Sequence, residues 1–332
     1  MSQIKNMPLF LLLVAFGLSD HASADERRDS TLMMELVDPI TSKTDTSVVQ
    51  VICGGRPVSL GTVVSADGYI MTKRSELSGD PIRVRLHDGR LFPAYVASVR
   101  RRNDLALLHL QSPITLVPVE FSPMAPPIAS FLVSVGRTGS PIGIGVLGVP
   151  ARRIGHSGRL GVVLNDDSSG RALVENVWPD SGADIAGIEP GDLIVAINGS
   201  EKYGRAAVIN TLRDMFPGER VPLRILRKND MSVLETLELV ARIREFRVMQ
   251  ESESDTKVNG PRSVRLSGFD NVIQHDTVLD PDECGGPVLD TQGRVIGLNI
   301  ARAGRVVSYA LPSGLIMSEM VGMLEEARAS TR

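Results

Sequence analysis

The segment 282–287, Asp-Glu-Cys-Gly-Gly-Pro, places a thiol directly before two glycines near the C-terminus. A side-chain nucleophile that attacks a carbonyl needs a base to remove its proton, a group that orients this base, and backbone N–H donors that face the oxyanion. Cys284 can serve as the nucleophile, and the chain has many carboxylates that can orient a base. These residues indicate acyl transfer if the chain also supplies the base.

A cysteine nucleophile depends on a base less than a serine does. A thiol is intrinsically nucleophilic and a few per cent ionised at neutral pH, whereas a serine without a base is nearly inert. General-base assistance still contributes roughly 100- to 10,000-fold. The carboxylates of Asp282 and Glu283 stand beside Cys284 and disfavour its thiolate form. We therefore expect Cys284 to react slowly unless a base is present.

Three segments, 61–72, 103–108 and 272–299, resemble the HtrA (Deg) family of secreted, trypsin-fold serine endopeptidases with PDZ domains. The segment 309–312, Tyr-Ala-Leu-Pro, and the helical 313–328 also resemble the closing strand and helix of that family. The resemblance implies a mainly β fold, with a trypsin-like double β-barrel and a C-terminal helix. It also implies peptide-bond hydrolysis wherever the catalytic triad is complete.

The resemblance implies that the triad of this chain is degenerate. Ser75 stands where the family has its general-base histidine, Asp104 stands at the orienting position, and Cys284 replaces the nucleophilic serine. The family keeps a glycine two residues before the nucleophile, where the backbone conformation favours glycine, and this chain has Asp282 there. The oxyanion loop of Asp282, Glu283 and Cys284 therefore departs from the family pattern as well.

Another histidine would have to act as the base, and His275 is the candidate to consider. It lies nine residues before Cys284, in a strand-like stretch, and Asp276 follows it. A packed, hydrogen-bonded histidine is the favoured interpretation, because base and orienting group would both have to be rebuilt in a new geometry. His109 follows Asp104 by five residues on one strand, so strand alternation directs it to the opposite face.

The middle of the chain resembles a PDZ domain over residues 157–242. The segment 180–199, Asp-Ser-Gly-Ala-Asp-Ile-Ala-Gly-Ile-Glu-Pro-Gly-Asp-Leu-Ile-Val-Ala-Ile-Asn-Gly, is a specific signature of such domains. A PDZ domain binds a peptide C-terminus as an added strand, with the carboxylate on backbone N–H groups and side chains in an apolar pocket. The predicted peptide-binding residues are Leu160, Gly161, Val162, Val208 and Leu212. For Val208 and Leu212, burial in the domain core is an equally good interpretation.

The order of the segments predicts that the PDZ domain interrupts the second barrel, because barrel-like strands precede it and the nucleophile turn follows it. Insertion at an exposed loop is tolerated where the ends of the inserted domain lie close together. The predicted units are a signal peptide (1–24), an N-terminal linker (25–46), a first barrel (47–127), a second barrel (128–156 and 262–328), a PDZ domain (157–242) and a polar connector (243–261).

The N-terminus predicts export. Lys5 precedes the apolar stretch 8–18, and the small residues 22–24 form a cleavage site. The apolar stretch is too short for a membrane span, so it indicates a secretory signal peptide. We expect a periplasmic protein with no stable membrane span after signal cleavage. Retention of the uncleaved signal as an anchor is the alternative.

Composition agrees with a folded, exported protein. The 332 residues allow two or three domains, and a formal net charge of -3 gives no reason to expect nucleic acid binding. The sequence carries no nucleotide or metal motif, so we expect no cofactor and no metal. Cys53 lies in an apolar strand, which favours a buried free thiol over a disulfide with Cys284. The sequence leaves homo-oligomerisation open.

Two functions from different classes follow. The first is a pseudoprotease that binds peptides or unfolded proteins through its PDZ groove, in protein quality control of the cell envelope. The second is an atypical endopeptidase that uses Cys284 as its nucleophile. The first is favoured, because loss of any triad member leaves only a small residual acceleration.

Overall fold

The computed structural model describes residues 31–229 and 231–330. The predicted signal peptide 1–24 and the first residues of the predicted linker lie outside this range. The remainder of that linker forms helix α1 (Thr31–Thr41) and a 3-10 helix (Ser42–Thr44). Val37 of α1 is buried in a cluster with Val133 and Leu289, so this helix packs on the second barrel.

The first barrel is a closed antiparallel sheet in the strand order β1-β2-β3-β6-β5-β4. Its strands are β1 (Val48–Cys53), β2 (Arg56–Ser65), β3 (Tyr69–Lys73), β4 (Ile82–Arg85), β5 (Leu91–Arg100) and β6 (Leu105–Leu110). Side chains such as Val51, Val63 and Leu108 are fully buried in its interior. A 3-10 helix (Arg101–Asn103) joins β5 to β6.

The second barrel begins with β7 (Phe131–Val135) and β8 (Pro141–Ile154), and the chain then leaves it. The inserted domain has a sheet in the order β10-β11-β12-β14-β15, with its own core around Ile194 and Leu223. Its elements are β9 (Gly158–Arg159), β10 (Val162–Asp166), β11 (Ala172–Val177), α2 (Gly182–Ile185), β12 (Leu193–Ile197), β13 (Ser200–Glu201), α3 (Gly204–Arg213), β14 (Arg220–Lys228), β15 (Leu234–Arg242) and β16 (Arg244–Glu245). Strand β16 pairs with β9, which brings the two ends of the insert together.

The chain returns to the second barrel through two short helices, and the strand order of that barrel closes as β17-β20-β19-β18-β7-β8. The returning elements are α4 (Phe246–Met249), α5 (Glu253–Asn259), β17 (Phe269–His275), β18 (Pro287–Asp290), β19 (Val295–Gly304), β20 (Val307–Pro312) and the C-terminal helix α6 (Ser313–Ser330). The stretch predicted as a polar connector, 243–261, thus contains β16, α4 and α5. The predicted fold class is confirmed: two β-barrels, a β-rich domain inserted into the second, and a C-terminal helix.

The two barrels meet at the turn before β18. Leu60 N donates to Cys284 O at 2.9 Å, and Thr62 Oγ1 donates to Gly285 O at 3.0 Å. Gly285 has a φ of +102°, and a Cβ there would overlap the backbone oxygen of Leu60. Glycine is required at this position, since both the backbone conformation and the close approach of β2 exclude a side chain. Among the residues that the structure describes, no helix combines the length and the apolar character that crossing a membrane requires.

Candidate functional site

Ser75 and Asp104 lie together at the edge of the first barrel that faces the second. Asp104 directly follows the 3-10 helix before β6 and has a left-handed φ of 57°, and its carboxylate lies just beyond the end of β3. Asp104 Oδ1 accepts from Ser75 N at 2.9 Å, and Oδ2 accepts from Ser75 Oγ at 2.7 Å. A serine hydroxyl does not take up a proton at neutral pH, so Ser75 does not replace a histidine as the general base.

Cys284 lies opposite this pair, on the second barrel, and its side chain is fully buried. It follows a 3-10 helix (Pro281–Glu283) and makes two long sulfur contacts, with Ser263 Oγ at 3.9 Å and Asp280 O at 3.8 Å. Burial raises the pKa of the Cys284 thiol above its ordinary value, against the opposing charge of Lys73. The reactive thiolate is therefore scarce at neutral pH.

The predicted oxyanion loop folds back on itself. Asp282 lies within the 3-10 helix, and Cys284 N donates into the same turn, to Pro281 O at 3.4 Å. Glu283 N likewise donates to Asp280 O at 3.0 Å. An oxyanion hole needs N–H groups that point at the reacting carbonyl. In this conformation the N–H groups of Glu283 and Cys284 are engaged within the loop.

Lys73 is a buried charge that sequence reasoning missed. Its Nζ lies 3.0 Å from Glu76 Oε1 and 3.0 Å from Ser263 Oγ, and its side chain is fully buried. Burial alone would lower the pKa of Lys73, but the nearby acidic groups, Glu76 first among them, together outweigh burial, and the pKa lies above its ordinary value. The ammonium stays protonated, so Lys73 is not a base for Cys284. The sequence signal that could have indicated this buried charge is the position of Lys73 at the end of the buried strand β3.

Arg265 is a second buried charge that the sequence did not reveal. Its guanidinium donates to Arg102 O and Gly268 O at 2.6 Å, and Nη1 lies 3.8 Å from Asp104 Oδ1. The side chain also lies over the rings of Phe216 and Phe269. Burial raises the pKa of Asp104, although the charges of Arg265 and Lys73 oppose this shift. The site therefore holds cations near the carboxylate without an imidazole between them.

His275 lies inside the second barrel. Its Nδ1 is 2.8 Å from Thr277 Oγ1 and its Nε2 is 3.0 Å from Asn299 Oδ1, so both ring nitrogens are engaged. The Asn299 amide in turn donates to Ser134 Oγ at 3.0 Å. Asp276, the potential orienting group, accepts from the backbone of Val146. These contacts fix His275 as part of a buried hydrogen-bond network.

A second candidate site is a groove on the inserted domain, between β10 and α3. It encloses a cavity of about 440 Å³. Its lining includes four predicted residues, Leu160, Gly161, Val162 and Leu212, together with Trp178 and Phe246, which sequence reasoning missed. Val208, in contrast, is fully buried in the core of the insert. The prediction that Val208 lines the groove is therefore wrong, and the alternative interpretation, burial in the domain core, applies.

Gly161 shapes the entrance of this groove. It has a φ of +92°, and a Cβ there would overlap the side chain of Ser181. Its carbonyl accepts from Trp178 N at 2.9 Å, and Leu160 O accepts from Ala183 N at 2.9 Å. The loop is thereby fixed in a conformation that glycine reaches easily.

The described residues give no indication of a metal centre. Across residues 31–229 and 231–330, no three His, Cys, Asp or Glu side chains gather in a way that could hold a metal ion. The buried charges of the site between the barrels instead pair with one another, Lys73 with Glu76 and Arg265 with Asp104.

Comparison with known proteins assigns the insert. A PDZ domain family model matches residues 158–237. The chain is 31% identical over 93 residues to a probable periplasmic serine protease do/HhoA-like of Haemophilus influenzae. This alignment covers 27% of this chain and 19% of the relative. It is 25% identical to a probable periplasmic serine endoprotease DegP-like of Marinomonas sp., over 60% of this chain and 61% of the relative. The chain thus spans less than two thirds of the length of either relative.

A solved structure is also similar to this chain. The crystal structure of the MamO protease domain from Magnetospirillum magneticum (apo form) aligns with a TM-score of 0.41 and 16% sequence identity. The alignment covers 83% of this chain and 96% of the MamO chain.

Proposed function

We propose that this chain, which belongs to the HtrA (Deg) family of PDZ-containing proteases, functions as a peptide-binding pseudoprotease. The observation that carries the proposal is the hydrogen bond of 2.7 Å between Ser75 Oγ and Asp104 Oδ2. The orienting carboxylate is engaged by the hydroxyl and the backbone N–H of Ser75, where the family has a histidine, and neither group can accept the proton of a nucleophile. Cleavage would lack general-base assistance, which contributes roughly 100- to 10,000-fold.

Three further features support the loss of cleavage. The Cys284 thiol is buried and its pKa is raised, so little thiolate is available. The N–H of Cys284 is engaged in its own turn, which removes a donor for the oxyanion. Lys73 is held as an ammonium by Glu76 and does not replace the base. Each defect slows acyl transfer by itself, and here they occur in one site.

The PDZ groove is the proposed binding site. A peptide C-terminus would add as a strand to the edge strand β10, with its carboxylate at the loop of Leu160 and Gly161. Val162 and Leu212 give the cavity an apolar lining, and about 440 Å³ lies within the range of small-ligand pockets. The proposed ligands are therefore peptides or unfolded proteins that end in an apolar residue.

The proposed setting is the periplasm, in protein quality control of the cell envelope. The relatives in Haemophilus influenzae and Marinomonas sp. are named as periplasmic proteases. A protein that captures exposed C-termini without cutting them would act there as an adaptor, a sensor or a holdase.

Fluorescence polarisation with labelled peptides tests the binding proposal. The full chain is titrated against peptides that end in a free carboxylate, and against the same peptides with an amidated C-terminus. We expect binding of apolar-ended peptides and at least a tenfold loss of affinity on amidation. Equal binding of both forms would contradict recognition of a C-terminus.

A pair of glycine variants locates the site. Gly161→Ala introduces a Cβ that overlaps Ser181, so it should distort the loop and weaken binding at least tenfold. Gly170→Ala is the matched control: its φ is also positive, at +77°, but a Cβ there meets nothing within 4 Å. If both variants bind like the parent protein, the peptide does not occupy this groove.

A further inference from the structure

The chain between α5 and β17 crosses the space between the two barrels. We call residues 261–268 the cleft segment. Ser263 N donates to Arg302 O at 3.0 Å, and Arg302 N donates to Ser263 Oγ at 3.0 Å. Arg302 belongs to β19, so the cleft segment lies against the second barrel.

The cleft segment also contacts the first barrel. Val264 N donates to Glu76 Oε1 at 3.2 Å, and Arg265 lies 3.8 Å from Asp104 Oδ1. Ser263 Oγ lies between the two sides, 3.0 Å from Lys73 Nζ and 3.9 Å from Cys284 Sγ. The segment therefore touches both Asp104 and Cys284, which stand at two of the three triad positions.

We propose that the cleft between the barrels is a peptide-binding site already filled by the cleft segment of the same chain. Ser263, Arg265 and Ser267 are each at least 95% buried, and Cys284 beneath them is fully buried. The occupant is recognised by the two hydrogen bonds between Ser263 and Arg302 of β19 and by the buried cations and carboxylates of the site. This inference concerns the cleft and does not depend on peptide binding to the PDZ groove.

The inserted domain anchors the cleft segment. Glu245 of β16 accepts from Leu266 N at 2.7 Å, and Ser157, just before β9, donates its N–H to Ser267 Oγ at 3.0 Å. A Cβ at Gly218 of the insert would lie 2.9 Å from Val264, so the insert packs tightly on the segment. External peptides are consequently directed to the PDZ groove, because the cleft is closed to them.

A disulfide trap tests this occupancy. Ser263→Cys places a second thiol where Ser263 Oγ now lies, 3.9 Å from Cys284 Sγ. Mild oxidation of the folded full chain should link this thiol to Cys284, and peptide mapping by mass spectrometry should detect the linked peptides. Ser267→Cys is the matched control, because Ser267 is equally buried in the same segment but contacts Ser157 instead. We expect at least tenfold faster linkage for Ser263→Cys.

Two outcomes of the trap decide the proposal. Linkage at the rate of the Ser267→Cys control would overturn it, because the segment would not lie over Cys284. Specific linkage supports it, provided that Cys53 stays unmodified. Cys53 is a buried thiol on the first barrel, so a disulfide to Cys53 identifies protein that has unfolded.

A measurement on the unaltered protein keeps the proposal falsifiable if Ser263→Cys does not fold. Iodoacetamide should alkylate Cys284 at least 100-fold more slowly in the native chain than in urea. Alkylation of native Cys284 at the unfolded rate, with Cys53 still protected, would overturn occupancy of the cleft. Neither result bears on peptide affinity, so failure of this inference is distinguishable from failure of the proposed function.

Discussion

Replacement of Arg265 by methionine should destabilise the protein strongly. The guanidinium makes four hydrogen bonds to backbone carbonyls: those of Arg101, Arg102, Ser267 and Gly268. Hydrogen bonds of charged groups contribute about 1.5–3 kcal/mol each. Methionine has a similar volume, keeps the packing on the neighbouring rings and avoids the desolvation of a charge, which offsets part of that loss. We expect a net loss of about 3–5 kcal/mol, the range for removal of one partner from a buried charge pair.

Urea unfolding at pH 7, followed by far-UV circular dichroism, measures this loss. The slope increases with protein size, so a value of about 3 kcal/mol per molar urea applies to a chain of this length and converts the loss into a midpoint that is roughly 1–2 M lower. Fluorescence of Trp178, the single tryptophan of the chain, follows the inserted domain separately. The separate signal is needed because a protein with several domains need not unfold in one step.

Arg224→Met is the matched control for this experiment. Arg224 pairs with Glu238 on the surface of the insert, and their side chains are 43% and 66% exposed. Such surface pairs contribute about 0–1 kcal/mol, so the control midpoint should barely move. Equal midpoints for Arg265→Met and Arg224→Met would refute the argument that Arg265 holds the cleft segment in place.

Two further predictions concern contacts between domains. Burial alone would raise the pKa of Glu219, but hydrogen bonds and charge from Arg101 lower the pKa below its ordinary value. Glu219 therefore stabilises the fold at pH values above the ordinary pKa of a glutamate, and this contribution is lost as the pH falls through the lowered pKa. Glu219→Gln should therefore lower the free energy of unfolding at pH 7 but much less at pH 3, and an equal loss at both pH values would contradict the ion pair. Gly285→Ala should prevent native joining of the barrels, because its Cβ overlaps Leu60 O; a circular dichroism melt like that of the parent would exclude this close approach.

The sequence predicted the parts of the fold that carry recognisable local motifs. The two barrels, the inserted domain and the closing helix each carry local motifs, such as the Asp-Gly turn before Tyr69 and the thiol before Gly285. Local motifs also identified Ser75, Asp104 and Cys284 as residues to examine, and the structure places Ser75 against Asp104.

The remainder of the site depends on contacts that no local pattern records. Lys73 and Ser263 are 190 residues apart in the chain, and Arg265 reaches carbonyls more than 160 residues away. These residues belong together only because the insert returns the chain across the cleft. Phe246 was missed for a similar reason, since it follows the predicted PDZ boundary at residue 242 yet lines the groove.

Incubation of the purified protein with unfolded casein, beside Cys284→Ala, tests the central claim most directly. Mass spectrometry follows the appearance of new peptide termini. The account predicts no site-specific cleavage that distinguishes the two proteins, because the base is missing and the thiol is buried beneath the cleft segment. Site-specific cleavage by the parent protein that is lost in Cys284→Ala would contradict the account and establish a cysteine endopeptidase.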